Sequence, residues 1–464
     1  MQPKNQSQPV YNIDRYYSSY GALIALGIEV EKRKILEPIR EKVKIRQKII
    51  CDTPFDKLTD VLISILSGAG GLVEVNKRVR PEKALQMAFG RRRCAEQSVI
   101  SDTLNACSEV NVNQMQQAMT TIYQKHSQGY QHDYNSDMQL IDIDMSGQPC
   151  GKKAEFASKG YFANQHNQRG RQLGRVLATW YDEIVVDRLY DGKTQLPKAL
   201  QELVSAAAEV LDLDEIKRRR TIVRIDGHGG SLEDINWLLA QGYHVHTKEY
   251  SGKRAKKVAE TVTTWYEDKE VPGRQFGLVR QNAPEYIDVV QRIAVRTRKK
   301  NGQWGIGVLI STLSPHEITY LMGESSPEAL SPEKVLAAYV RFYDLRGGGV
   351  ETAFKSDKQA IGITKRNKKS FTAQEILTQL NALAHNLLVW FRLWMAQCWQ
   401  AIQRLGLLRI IRDILRINSF VHFDRKRGIT QIVLNQLDPY AGPLECALQS
   451  LLASAHIDVI LGKT

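Results

Sequence analysis

Between Met138 and Lys248 the chain alternates short apolar runs with amphipathic stretches, and two of those runs end in acids. MQLIDIDMS has the length of a buried strand and carries Asp142 and Asp144 at its end. GRVLATW and EIVVDRLYDG are two more strand-length runs, with Gly192 in the following turn. KALQELVSAAAEVLDLDEIKRRR places apolar residues at helical spacing, and its basic end, Lys217 to Arg220, suits the negative pole of a helix dipole. TIVRIDGHGG is an apolar strand closing on Asp226 and glycines. SLEDINWLLAQG reads as a helix opened by Ser231 and closed by Gly242, and YHVHTK as a further strand.

Strand, strand, strand, helix, strand, helix, strand is the succession of a ribonuclease-H-like α/β core, in which the first three strands are antiparallel and later ones parallel. The rest of the chain is organised differently. Residues 1 to about 135 read as helical; there RRRCAEQSVISDTLNAC sets Arg91, Arg92 and Arg93 before a segment whose Gln97, Ser98, Ser101 and Asp102 suit either contact with DNA or a solvated helical face. From 251 to about 330, RQFGLVRQN, EYIDVVQRIAVRTRKK and QWGIGVLIST alternate as strands, with Asn301-Gly302 as a hairpin turn and Arg296, Arg298, Lys299 and Lys300 as a basic loop. Ser331-Pro332-Glu333 opens a helix that Gly347 to Gly349 end. Another helix begins near Val350, and a long apolar helical stretch runs from Thr372 to about Leu415. FVHFDRK and ITQIVLNQ form a hairpin before a last helix near Leu444 to Ala455. The fold class expected is therefore α/β: a ribonuclease-H-like mixed sheet with flanking helices, a β-rich insertion and an N-terminal helical domain.

Charge narrows the partners. Sixty-four Lys and Arg against 50 Asp and Glu give a net of +14, which favours a polyanion because neutralising phosphates releases counterions. The six cysteines fall at no metal-ligand spacing and read as reduced, mostly buried thiols. The N-terminal residues lack the apolar core of a signal peptide, and LLVWFRLWMAQCW is too short to span a bilayer. The expected setting is cytoplasmic, with no membrane.

Phosphodiester chemistry activates one oxygen and stabilises another beside a charged backbone. Two divalent ions about 4 Å apart do both, and hard ions such as Mg²⁺ take oxygen ligands. A sequence built for this gathers carboxylates from separate elements. Asp144 ends the first strand, Asp226 ends the fourth, and Glu351 stands in the first turn of a later helix.

Three blocks carrying these acids resemble bacterial insertion-sequence transposases of the IS-four kind, members of the DDE superfamily. LIDIDMSGQPCGKKAEFASKGYF resembles the family's first block and puts a metal ligand on Asp144, with Asp142 as a rival or auxiliary. TIVRIDGHGGSLEDINWLLAQGYHVHTK resembles the second and puts a ligand on Asp226. YDLRGGGVETAFKSDKQ resembles the third, whose Tyr, Arg, Glu and Lys fall on Tyr343, Arg346, Glu351 and Lys358. One departure stands out: four residues, not three, separate Arg346 from Glu351, and on a continuous helix one extra residue turns a side chain by about 100°. A helix break at the triple glycine would absorb it.

The resemblance implies a DNA transposase that cuts and rejoins element ends with two Mg²⁺ ions, Mn²⁺ substituting, held by Asp144, Asp226 and Glu351. Tyr343, Arg346 and Lys358 would grip phosphates. Partners would be double-stranded DNA at element ends and target, with a dimer on paired ends, in a bacterial, nucleoid-associated setting. The domains implied are a helical DNA-binding domain over 1–135, a catalytic core over 136–250 and 340–464, and an insertion over 251–339. A nuclease of the same fold without joining activity, and a non-catalytic DNA-binding descendant, remain alternatives.

Lesser features have bland readings beside functional ones. His244 and His246 share a strand face, as a metal pair would, but polar groups at a strand edge explain them better. His228 is the histidine nearest the second acid. Trp265 and Trp304 suit either stacking on an unpaired base or a β core. Trp390, Trp394 and Trp399 read as core, and KRNKKS (365 to 370) as a contact for the DNA backbone.

Overall fold

In the computed structural model each apolar run named between Met138 and Lys248 is a strand. The structure describes residues 13–48, 51–160, 162, 168–227, 229–425 and 427–464. These form two compact units, one from Tyr123–Lys355 and the other from the described parts of Met1–Ile122 with Ser356–Thr464. Numbered along the chain, β1 (Ile13–Ser18) comes first and belongs to a small second sheet. β2 (Gln139–Pro149), β3 (Ser158–Lys159), β4 (Arg169–Ala178), β5 (Glu183–Asp191), β6 (Thr221–Ile225) and β7 (His244–Lys248) begin the large one.

The core of the large sheet runs β5-β4-β2-β6-β7. β5 and β4 are antiparallel, as are β4 and β2, whereas β2, β6 and β7 are parallel. This is a ribonuclease-H-like mixed sheet, the fold class expected. Alternation along the central strands sorts side chains between two faces. Ile141 and Ile143 of β2, Val223 and Ile225 of β6 and Val245 of β7 pack on the helices Leu196–Leu211 and Leu232–Ala240. Leu140 and Ile222 take the other face, against Leu336, Tyr339, Val340 and Phe342 of the helix Pro332–Asp344. Each fully buried aliphatic or aromatic side chain here contributes roughly 1.5–3 kcal/mol. Asp142 and Asp144 follow Leu140, and Arg224 and Asp226 follow Ile222, so all four belong to the second face.

The long amphipathic stretch after β5 is two helices, not one. Asp212 adopts a left-handed backbone (φ 51°) that closes Leu196–Leu211, and Asp214 caps the short helix Glu215–Arg218 through Lys217 N–H at 2.8 Å. The strands expected as an insertion continue the same sheet. β8 (Tyr266–Glu267), β9 (Arg274–Leu278), β10 (Gln291–Arg298) and β11 (Trp304–Ser311) follow one another outward in reverse, and β11 pairs antiparallel with β7. Gly302, at φ 79°, makes the β10–β11 turn.

In the second unit, β1 pairs with β12 (Ser419–Asp424), which forms the expected hairpin with β13 (Gly428–Asn435); β14 (Asp458–Gly462) lies parallel to β13. β1 is an addition to the helical reading of the N-terminal part. The apolar helix Phe371–Ala396 starts at Ser370 and ends before the expected limit, giving way to short helical turns. Trp390 is core, but Trp394 is half-buried under the Arg33 guanidinium, and Trp399 lies half-buried against Tyr440. No described helix is long and apolar enough to cross a membrane.

Candidate active site

The register of the central strands builds the site in two rows. Asp142 of β2, Arg224 of β6 and His246 of β7 are lateral neighbours. One step farther on the same face, Asp144 stands beside the end of β6, where Asp226 follows.

The inner row is closed off. Arg224 donates to both oxygens of Asp142, at 2.6 and 2.8 Å, and also to the Phe342 carbonyl; both partners are at most 1% exposed. Asp142, the rival from sequence, is thereby committed to an internal pair. An arginine inside an otherwise apolar strand was the signal for this, since arginine is almost never fully buried unless paired. His246 is fully buried, stacked on Tyr339 and edge-on to Phe342. This sets aside the metal-pair reading with His244, which lies near the Thr312 hydroxyl at 3.3 Å. His228 lies outside the described residues.

Burial, reinforced by the Arg224 charge and only partly opposed by the Tyr339 backbone, pushes the His246 pKa down to about 3. Its folded-state value is below the ordinary 6.5, so the unfolded chain takes up a proton first as pH falls. The stability tied to the neutral ring is present above about 6.5 and is lost towards 3, at up to about 1.4 kcal/mol per pH unit. Between pH 7 and 5 that is about 2 kcal/mol. His246→Leu is expected to remove this share of the pH dependence, because leucine carries no titrating group. Urea unfolding at the two pH values measures it; an unchanged slope in the variant would refute the assignment.

The outer row gathers the predicted acids around one cation. After the helix Pro332–Asp344 the chain makes a tight 3-10 turn, Leu345–Gly348, and a new helix starts at Val350 (Val350–Ala360). The helix breaks at the glycines, and the extra residue before Glu351 is absorbed there. Arg346, 7% exposed at its side chain, reaches Asp144 Oδ2 at 3.3 Å and Asp226 Oδ2 at 3.7 Å through its two terminal nitrogens, and Glu351 Oε1 closely. Asp144 also accepts from the Met145 N–H at 2.7 Å. Burial raises the Asp144 pKa to about 6, and the Asp226 charge adds to the rise against the opposing Arg346. Tyr343 stands near Arg346, its ring centre 6.0 Å from the guanidinium carbon, with its hydroxyl pKa raised by burial. On β4, Arg175 is the register partner of Asp144, but its guanidinium is held at two points by Asp187 of β5, both at 2.8 Å.

The structure thus brings Asp144, Asp226, Glu351, Arg346 and Tyr343 together. Lys358 is half-buried, seven residues after Glu351 on the same helix. Among the described residues no three His, Cys, Asp or Glu side chains form a metal-holding group by themselves; these acids meet through the guanidinium. Three carboxylates from three elements that already enclose one cation nevertheless have the donor chemistry a hard divalent ion takes.

Gly349 is what lets the Glu351 segment come so close. A Cβ there would stand 2.2 Å from Asp142 Oδ2 and 3.2 Å from Thr179 Cγ2, and Asp142 is pinned by Arg224. Gly347 and Gly348 face open space. Gly349→Ala is expected to cost about 1–3 kcal/mol, whereas Ala at 347 or 348 is tolerated. Thermal unfolding of the three variants checks it; equal losses at all three positions would count against the close approach.

Several basic residues serve the fold instead of solvent. Arg91 is buried, with ion pairs to Asp52 (3.1 Å), Asp56 (2.6 Å) and Asp60 (3.0 Å), so it is withdrawn from the expected DNA-facing cluster. In KRNKKS, Arg366 is buried and donates to the Ala69 and Ile361 carbonyls, and Lys368 reaches Ser101 at 2.6 Å. Trp265 and Trp304 hold the Arg296 guanidinium between them, at 4.1 and 4.7 Å, all three half-buried.

No protein-family model matches the chain. No curated protein matches it by sequence. Among solved structures, the chain is similar to that of a piggyBac transposase synaptic complex with hairpin DNA, determined by cryo-EM, with a TM-score of 0.44 and 12% identity over 87% of this chain and 82% of that one.

Proposed function

We propose that the protein is a DDE transposase of the bacterial insertion-sequence, IS-four kind, which cleaves DNA at element ends and joins the freed ends to target DNA. The observation that carries this is the meeting of Asp144, Asp226 and Glu351, from two adjacent parallel strands and a helix start, around one cationic group. The three sequence blocks that resemble the family supply those same acids.

In this reading the three carboxylates would hold two Mg²⁺ ions, with Mn²⁺ able to substitute. Such ions supply Lewis acidity and a nucleophilic oxygen at neutral pH. The chain's own part is to fix the acids and receive the phosphate. β2 and β6 set the spacing of Asp144 and Asp226 through their hydrogen-bonded register, and the glycine break aims Glu351 at both. Tyr343, Arg346 and Lys358 bind phosphate oxygens next to the scissile bond, where positive charge stabilises the developing negative charge. Partners in this reading are double-stranded DNA at element ends and target, with a dimer holding two ends. The net charge of +14 suits that partner.

The test is a labelled duplex from the DNA flanking the gene, incubated with the purified protein and Mn²⁺ beside Asp226→Ala. Cleavage leaving 3′-hydroxyls, absent in the variant, supports the reading, and a joined product separates transposase from nuclease. Binding without cleavage would overturn it in favour of a non-catalytic DNA-binding protein.

A further inference from the structure

The guanidinium at the centre of the acids has a role of its own. Arg346 is the least exposed member of the cluster, at 7%, against 19% for Asp144, 30% for Asp226 and 50% for Glu351. Its two terminal nitrogens engage three carboxylates at once. Arg175, the other arginine beside Asp144, is committed to Asp187. Arg346 is therefore a charge shared by three acids gathered in a half-buried place, where their mutual repulsion is poorly screened. It is also carried on a turn with latitude, because Gly347 and Gly348 have open space around them.

We infer that Arg346 is an internal counter-ion of the site, and that its placement among the acids and the loading of divalent ions there exclude each other. The inference rests on the proposed catalytic reading and adds an order of events to it. At rest Arg346 pairs with all three acids, and it would have to leave these oxygens for a divalent ion to be held by them. Once released, the planar fork suits two-point binding of a phosphate. The residue would thus pass from carboxylates to DNA as the site loads, and ions alone would bind the resting protein weakly.

The experiment measures Mn²⁺ binding to the full-length protein without DNA, by the electron paramagnetic resonance of the free ion. Arg346→Met keeps an apolar stem and removes the charge, and is expected to tighten Mn²⁺ binding at least about tenfold. Unchanged or weaker binding in the variant would overturn the inference, since an arginine that only holds the acids in shape would loosen the site when lost. A second measurement uses wild type: phenylglyoxal labelling of Arg346, read by peptide mass spectrometry, should rise several-fold when Mn²⁺ is added. Bound Mn²⁺ with no change in labelling would refute mutual exclusion even if the variant failed to fold. Asp226→Asn separates the two readings. If it leaves Mn²⁺ binding unaltered in wild-type and Arg346→Met backgrounds, the ions are elsewhere and the catalytic reading falls, taking this inference with it. If it abolishes binding while Arg346→Met changes nothing, only the counter-ion role falls.

Discussion

Replacing Asp226 by Asn is expected to lower metal-dependent strand cleavage by about 1000-fold or more, some 4 kcal/mol of transition-state stabilisation, while leaving the fold intact. The side chain keeps its shape and loses its charge. It is 30% exposed and its ion pair with Arg346 is a long 3.7 Å, and Asn keeps the size and most of the hydrogen-bonding capacity of the side chain. Asp144→Asn and Glu351→Gln should act in the same direction. Glu351 is half exposed and is placed in the cluster by a helix start and not by a sheet register. Cleavage of an end-labelled duplex in Mn²⁺, with circular dichroism as the control for folding, decides the matter. Full cleavage by all three variants would end the catalytic reading.

The largest stability effect belongs to Arg224. Arg224→Leu strands the Asp142 carboxylate, which is fully buried, and removes the donor to the Phe342 carbonyl at the end of the helix Pro332–Asp344. Breaking a buried pair on one side costs about 3–5 kcal/mol, because the remaining charge has neither water nor partner. Replacing both members, Asp142→Leu with Arg224→Leu, is expected to cost clearly less than the sum of the singles. Denaturant titration of the two single variants and the double one measures the coupling. Strict additivity would mean that the two side chains do not depend on each other. The pair ties β2 and β6 to the end of that helix, and Gly349 packs directly on Asp142. Every element that carries one of the three acids is anchored near it.

How much of this could be read in the sequence follows the range of the forces involved. The strands carrying Asp144 and Asp226 were legible because strand length, alternation and terminal glycines are local properties. The order of elements then implied which strands are neighbours. The helix break before Val350 was legible too, from three consecutive glycines. Contacts between distant segments were not. β1 pairs with β12 across some four hundred residues, and nothing in IDRYYS names that partner. Arg91 looked like part of a surface cluster because its three acids, Asp52, Asp56 and Asp60, lie more than thirty residues away in a different segment. Asp212 fits a helical pattern by periodicity, and only the left-handed turn reveals the stop. By resemblance Arg346 is a phosphate ligand. Its grip on all three acids depends on a turn whose geometry the spacing alone does not give.

The join between β7 and β11 changes what the 251–311 stretch is to the rest of its unit. A five-stranded core would end at β7 with a row of bare amides and carbonyls, two strands from Asp144 and one from Asp226. Here Leu309, Ile310 and Ser311 cover that rim by pairing with Lys248, Thr247 and His246. The stretch is therefore spliced into the weave of the sheet and is not hung from it as an appendage. Anything that grasps its outer strands tugs, through a continuous ladder of hydrogen bonds, on the strand next to the one that carries Asp226. Cutting the stretch out would not leave a smaller working core; it would leave a raw selvedge open to pairing with other chains.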